Sequence, residues 1–327
     1  MPRASARSQG GRLLVLGYHN VGPTWRWPML RADRPPAANF ARQMAALRKL
    51  TNIVPLDQAL ADITHRRPLP PRAVAITFDD GYRDNLTSAV PILSRLGIPA
   101  TVYLVPDFLS HRVHPWWERL SWALTSARAI SVDVDGARLG LSDPADRVRA
   151  LNIIEADLKR CDSATRHARV DRLVDALQPR GEYRTSDLFM NWDEARDLVS
   201  TGVAIGSHTM SHAILAREDR QVQRDDLRES RATLQQQLGV PVHTLAYPNG
   251  QADDYDATTI AAAQEAGYTH AVTTRGRAID ADTPPYEVCR WIVSPERSAP
   301  NLALNVLRAL LGRRPAARHD RCASVAG

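Results

Sequence analysis

Residues 76–82 read ITFDDGY and set two carboxylates, Asp79 and Asp80, side by side between an apolar run and a glycine. Adjacent like charges raise the free energy of the doubly ionised state unless a cation or hydrogen bonds compensate. Asp80-Gly81 is also a favoured tight-turn pair, because Asp bonds nearby backbone and Gly accepts positive φ. A second stretch bears on the choice. GSHTMSH at 206–212 places His208 and His212 four residues apart. On a helical turn that spacing puts both imidazoles on one side, within reach of a single ion. Two histidines and one carboxylate, with positions left open for water, make a nitrogen-and-oxygen donor set for one divalent metal.

Such residues need a scaffold that brings strand ends together. Short apolar runs recur at 13–19, 73–80, 100–105, 203–208, 244–248, 270–274 and 289–293, each followed by a longer segment of helical periodicity. Continuous apolar strands alternating with helices point to a parallel sheet buried on both faces. Seven runs suit an α/β fold, a distorted (β/α) barrel of about seven parallel strands, whose loops converge at the carboxyl ends of the strands. Helices are expected over 39–50, 56–63, 84–96, 192–200, 219–238 and 255–266, four of them closed by Gly97, Gly202, Gly239 and Gly267. Pro91 should kink the third helix or mark its first turn. From about 111 to 186 the strand rhythm gives way to a mostly helical segment, best explained as an insertion on a loop. The expectation is one domain over 13–310, with disordered tails at 1–12 and 313–327.

TFDDG followed by SHTMSH resembles the paired motifs of the polysaccharide deacetylases, the NodB-type enzymes of carbohydrate esterase family 4. The likeness covers most of the chain, from residue 13 to about 293, and the motif pair is specific. The resemblance implies a metal-dependent hydrolase that removes N-acetyl groups from an N-acetylated sugar and releases acetate. Polysaccharide, oligosaccharide and lipid-linked glycan are all open as substrates. It further implies Asp79 as general base and Asp80, His208 and His212 as ligands of one divalent ion, zinc being the expected metal. The chemistry suits that division: one carboxylate helps to hold the ion while the other stays free to take a proton from water.

AYPNG at 246–250 stands where the family has a proline-containing loop, which implies the Asn249 backbone N–H as donor to a developing oxyanion. The family's loop opens with an arginine that pairs with the base, but here the position is Ala246. Arg290, in CRWIV, is the candidate replacement, with an ordinary solvent-facing arginine as the alternative. The family's C-terminal acid histidine is also missing. LGYHNVG at 16–22 resembles the YHxV element that opens a branch with permuted motifs, which implies His19 as proton donor to the leaving amine. A buried strand-end histidine is the plainer reading of His19. Hydrolysis of a non-sugar amide or an O-acetyl ester by the same residues is an alternative function, as is an idle glycan-binding homologue.

Tyr82, Tyr247, Trp25, Trp27, Trp116 and Trp117 are candidate sugar contacts, although helical spacing of tryptophans also describes plain core packing. Trp122 belongs to that core, and Trp192 opens a helix with Asn191 as its N-cap. The 327 residues are 44% hydrophobic and 24% charged, which excludes collagen-like and wholly disordered classes. A net charge of +6 is spread over scattered arginines, several in the tails. Without a basic-aromatic patch no nucleic acid is expected as a partner. Three cysteines without C-x-x-C spacing argue against a disulfide framework and a cysteine metal site. No stretch approaches the ~20 apolar residues that span a bilayer, and LLVLGYH is too short for a signal-peptide core. The expected location is cytoplasmic, with peripheral contact at the inner face of the membrane left open. Composition is silent on the oligomeric state.

Overall fold

In the computed structural model, which describes residues 11–22, 36–294 and 297–312, the chain opens with β1 (Leu13–Tyr18), α1 (Ala37–Leu50), β2 (Asn52–Ile53), α2 (Leu56–Thr64) and β3 (Ala73–Phe78). Both β1 and β3 are buried at every position. A strand with no solvent face needs cover on both sides, which parallel pairing with crossover helices supplies. Next come α3 (Val90–Leu96), β4 (Thr101–Leu104), α4 (Pro106–Leu109), α5 (Trp116–Ser126), β5 (Ser131–Val134), β6 (Ala137–Gly140), α6 (Pro144–Leu158) and α7 (Ser163–Leu177). The chain closes with α8 (Trp192–Ser200), β7 (Ala204–Ser207), α9 (Arg220–Leu238), β8 (Thr244–Ala246), α10 (Ala257–Glu265), β9 (His270–Val272), β10 (Arg290–Ile292) and α11 (Ala299–Leu310).

The main sheet runs β10-β1-β3-β4-β7-β8-β9, with β2 beside β3, and its pairings are parallel. Its two ends nearly meet. Val272 at the end of β9 bridges Val288 in parallel, and the Thr273 N–H donates to the Val288 carbonyl at 2.8 Å. The result is the expected barrel of seven parallel strands, nearly closed, with a seam between β9 and β10. Size alternation fills the interior: Tyr103 on β4 lies opposite Gly206 on β7, and a Cβ at 206 would overlap the Tyr103 ring.

Local signals account for the helix ends. Gly97 and Gly239 take left-handed φ of 62° and 67° as C-caps. Asn191 caps α8 in a reciprocal box with Glu194, and the Trp192 indole donates to Ser110 Oγ at 2.9 Å. A π-helical turn over Asn85–Ala89 leads into α3, so Pro91 sits in the first turn of α3. The stretch 111–186, expected to be mostly helical, also holds an antiparallel hairpin formed by β5 and β6. Its two-residue turn is Asp135-Gly136, at φ 47° and 84°, a sequence suited to the type I′ geometry that hairpins favour. Helices α5, α6 and α7 share a core with Tyr82, Val105, Phe108 and Phe189 from the barrel side. Among the described helices none is long and apolar enough to cross a membrane.

His270 opens β9 8% exposed, with its two ring nitrogens 2.9 Å from Thr64 Oγ1 and 3.0 Å from Thr269 Oγ1. Burial pushes its pKa down to about 4, whereas an unfolded histidine titrates near ~6.5. Between those values the unfolded chain binds a proton that the folded chain refuses, so stability falls as pH drops, by at most about 1.4 kcal/mol per unit. Thermal unfolding of the wild type and of His270→Gln between pH 7 and 4 should diverge in this window, with the variant showing the flatter pH dependence.

Candidate active site

Asp79 continues β3 by one residue, its N–H donating to the Tyr18 carbonyl at 2.9 Å. The chain then turns through Asp80 and Gly81, both left-handed at φ 72° and 79°. A Cβ on Gly81 would lie 2.9 Å from Leu104 Cδ2, so the left-handed φ favours glycine there and any side chain would push on the Leu104 methyl. The turn separates the two carboxylates. Asp79 meets Arg290 of β10 in a two-pronged pair, Nη1 to Oδ1 at 2.6 Å and Nη2 to Oδ2 at 2.7 Å, with side chains 0% and 2% exposed. Arg290 Nε also donates to the Thr273 carbonyl, Nη1 donates to Thr77 Oγ1, and the guanidinium lies 5.3 Å from the Tyr103 ring centroid. Burial alone would raise the Asp79 carboxyl, but the charge and hydrogen bonds of Arg290, with His208 beside it, hold it well below the usual carboxylate range. Asp79 is therefore ionised at neutral pH.

Asp80 meets the two histidines instead. Its Oδ1 lies 3.3 Å from His208 Nε2 and 3.4 Å from His212 Nε2, and the three ligand atoms fall within 4.8 Å of one another. All three residues are buried, yet Asp80 Oδ1 has no hydrogen-bond partner among the described residues. The close approach of His208 Nδ1 to the Ala246 carbonyl, 2.8 Å, assigns the proton to Nδ1 and leaves a lone pair on Nε2. Burial lowers the His208 imidazole, and the neighbouring carboxylates of Asp80 and Asp79 more than reverse this, so the spot attracts positive charge. His212 is pushed down to about 3 by burial and by His208, which keeps it neutral, with one ring nitrogen carrying a free lone pair. An orphaned carboxylate oxygen facing imidazole lone pairs fits a divalent cation, and the mixed donor set suits zinc, cobalt, nickel or iron.

The histidines do not converge through a helical turn, as their spacing suggested. Residues 208–212 form a loop in which Thr209 and His212 take positive φ of 65° and 63°. Positive φ is rare for a β-branched residue and costs about 1–3 kcal/mol. The loop is tied down on several sides. The Ala213 N–H donates to Thr209 Oγ1 at 3.1 Å, the Met210 N–H to Asp226 on α9 at 2.8 Å, and the Asp107 N–H to the Met210 carbonyl at 3.0 Å.

His19 follows β1 with Nε2 3.9 Å from Asp79 Oδ2, and at 28% side-chain exposure it is far more open than Asp79 or either of the other histidines. Asn249 sits at φ 58° in the connection after β8, and among the described residues its N–H donates to no backbone carbonyl. The expected sugar contacts fare differently. Trp116 and Trp117 are 3% and 5% exposed within the core that α5 shares with α6 and α7, the packed alternative. Tyr82 and Tyr247 are equally enclosed, with hydroxyls bonded to Glu118 and to the Tyr286 carbonyl, so neither offers a ring face to a sugar. Trp25 and Trp27 lie outside the described residues. Sequence reasoning passed over Thr77, whose place two residues before Asp79 puts it on the same strand face. A polar residue in an otherwise apolar strand was the available signal.

Comparison with known proteins agrees with this geometry. The polysaccharide deacetylase family profile matches residues 66–127 and 159–271, more than half of the chain, with the β5–β6 hairpin and α6 falling between the two blocks. A Bacillus subtilis (strain 168) protein named "Putative polysaccharide deacetylase YxkH" is 21% identical over 289 residues, 88% of this chain and 73% of that one. Among solved structures, the Streptococcus pyogenes deacetylase PplD in complex with acetate superposes with a TM-score of 0.62 at 16% identity, covering 92% of this chain and 99% of that one. IcaB from Ammonifex degensii gives 0.57 at 20% identity, covering 91% and 98%. The two solved structures share the barrel fold, and the extent of the profile match carries the assignment: the chain belongs to the polysaccharide deacetylase family.

Proposed function

We propose that this deacetylase removes N-acetyl groups from an N-acetylated sugar in a reaction that depends on one divalent metal. The observation that carries the reading is the separation of the two carboxylates, Asp79 locked in its ionised form by Arg290 and Asp80 turned to two imidazole nitrogens. Asp80, His208 and His212 would hold the ion, zinc being our choice. Once bound, the ion supplies a Lewis acid for the acetyl carbonyl and makes water more acidic.

The remaining steps belong to the chain's own groups. Asp79 takes a proton from the attacking water. Each carboxylate oxygen has two lone pairs, so the two Arg290 bonds leave acceptor capacity free, and the paired geometry fixes the plane of the carboxylate. The Asn249 N–H, with no backbone acceptor among the described residues, would donate to the carbonyl oxygen as negative charge develops there; one such donor is worth about 3–4 kcal/mol of barrier. An amide nitrogen must be protonated before it leaves, far more than the oxygen of an ester. His19, beside Asp79 and open to solvent, would give that proton, which is why we favour an N-acetyl over an O-acetyl substrate. Acetate and a free amine are the products. A soluble oligosaccharide, a polymer or a lipid-linked glycan would present the same acetamide.

Acetate release from N-acetylglucosamine oligomers tests this reading. Metal-stripped protein should be inactive and regain activity with zinc, and Asp79→Asn should lower kcat by about 10²–10⁴-fold at full metal loading. Equal release by the wild type and Asp79→Asn would remove Asp79 from the mechanism. His19→Ala should slow the amide substrate strongly while leaving hydrolysis of an acetyl ester with a good leaving group nearly unchanged. Intact turnover of the amide by that variant contradicts the role given to His19.

A further inference from the structure

His208 and His212 present the same ring nitrogen to Asp80, but they are steadied in different ways. His208 has its hydrogen bond to the Ala246 carbonyl. His212 Nδ1 is buried and has no acceptor among the described residues. What His212 has instead is two aromatic rings. Phe108 stacks on it at 6.2 Å and 20°, and Trp117 lies closer, 4.4 Å between centroids at 50°.

Trp117 belongs to α5 and is itself held. Its indole N–H donates to Tyr82 Oη at 3.0 Å, and the Tyr82 hydroxyl donates to Glu118, the next residue on α5, at 2.9 Å. Glu118 is 0% exposed. Tyr82 is two residues beyond Asp80 in the chain. A closed path therefore runs from Asp80 along the backbone to Tyr82, through the hydroxyl to Trp117, across the ring contact to His212, and back to Asp80 Oδ1 at 3.4 Å.

We propose that Trp117 is the positioning residue of His212, orienting it by ring contact as the Ala246 carbonyl orients His208, and that Tyr82 and Glu118 fix the Trp117 ring. Helix α5 is thereby part of the ion site rather than a cover over the barrel. The inference rests on the reading that Asp80, His208 and His212 hold an ion. Outer partners that orient a ligating histidine typically change metal affinity by about 10–100-fold when removed.

The test uses the full chain and Trp117→Leu, Trp117→Phe, Tyr82→Phe and Leu151→Ala, the last thinning the same inserted core from α6. Zinc affinity is measured by competition with a chromophoric chelator, beside the visible spectrum of the cobalt-loaded protein and the melting temperature. Trp117→Leu should bind zinc ~10–100-fold more weakly and shift the cobalt spectrum. Trp117→Phe, which keeps a ring but loses the N–H, should recover most of the affinity, with Tyr82→Phe intermediate. Leu151→Ala should lower the melting temperature without changing affinity. Zinc binding by Trp117→Leu as tight as that of the wild type, or weakened no more than in Leu151→Ala, overturns the proposal. A wild type that binds no zinc, like a His208→Ala control, would instead overturn the ligand set itself and this inference with it.

Discussion

The Asp79–Arg290 pair is the contact on which the rest of the site depends. It joins residues 211 positions apart, and Arg290 extends from it to Thr77 on β3, the Thr273 carbonyl beyond β9 and the Tyr103 ring on β4. One buried guanidinium thus pins the barrel where, among the described residues, a single bridge closes the sheet. Desolvating two charges is expensive, and removing either partner would strand the other at a cost of about 3–5 kcal/mol. The same bonds keep Asp79 ionised and fixed in plane, so the closure of the fold and the state of the carboxylate have a common cause.

With Asp79 committed to Arg290, Asp80 is left to balance the two histidines. It does so because the left-handed turn at Asp80 and Gly81 swings its side chain away from its neighbour. Positive φ recurs at Thr209, His212 and Asn249, so four of the non-glycine left-handed residues lie in the loops that carry the site. Strain of this kind survives only where the surroundings over-determine it. Here the surroundings are rigid: strand ends on one side, and on the other a backbone loop bonded to α9 through Asp226 and to α4 through Asp107.

Much of this was legible in the sequence. Apolar runs too continuous for a half-exposed sheet marked the parallel barrel, and both motifs stood at strand ends, where a barrel gathers its loops. Arg290 could be singled out as the substitute for the arginine absent at Ala246, and it does pair with Asp79. What escaped has physical reasons. The path from His208 to His212 turns on left-handed residues that are not glycine, so nothing in their types announces it. The hairpin turn Asp135-Gly136 is a recognisable signal that the surrounding helical periodicity obscured. Trp117 and Trp116 could be sugar platforms or core, since an amphipathic ring serves both, and only burial separates the two uses. Glu118 reads as a surface charge on a helix until the tyrosine that it accepts from is seen.

The central claim is that Asp80, His208 and His212 together hold one divalent ion while Asp79 stays outside its coordination. Anomalous diffraction at the zinc edge, from crystals grown with zinc, addresses it most directly. The account predicts one strong peak within bonding distance of Asp80 Oδ1, His208 Nε2 and His212 Nε2, with Asp79 still paired to Arg290. No peak there, or a peak ligated by Asp79 in place of Asp80, would contradict it.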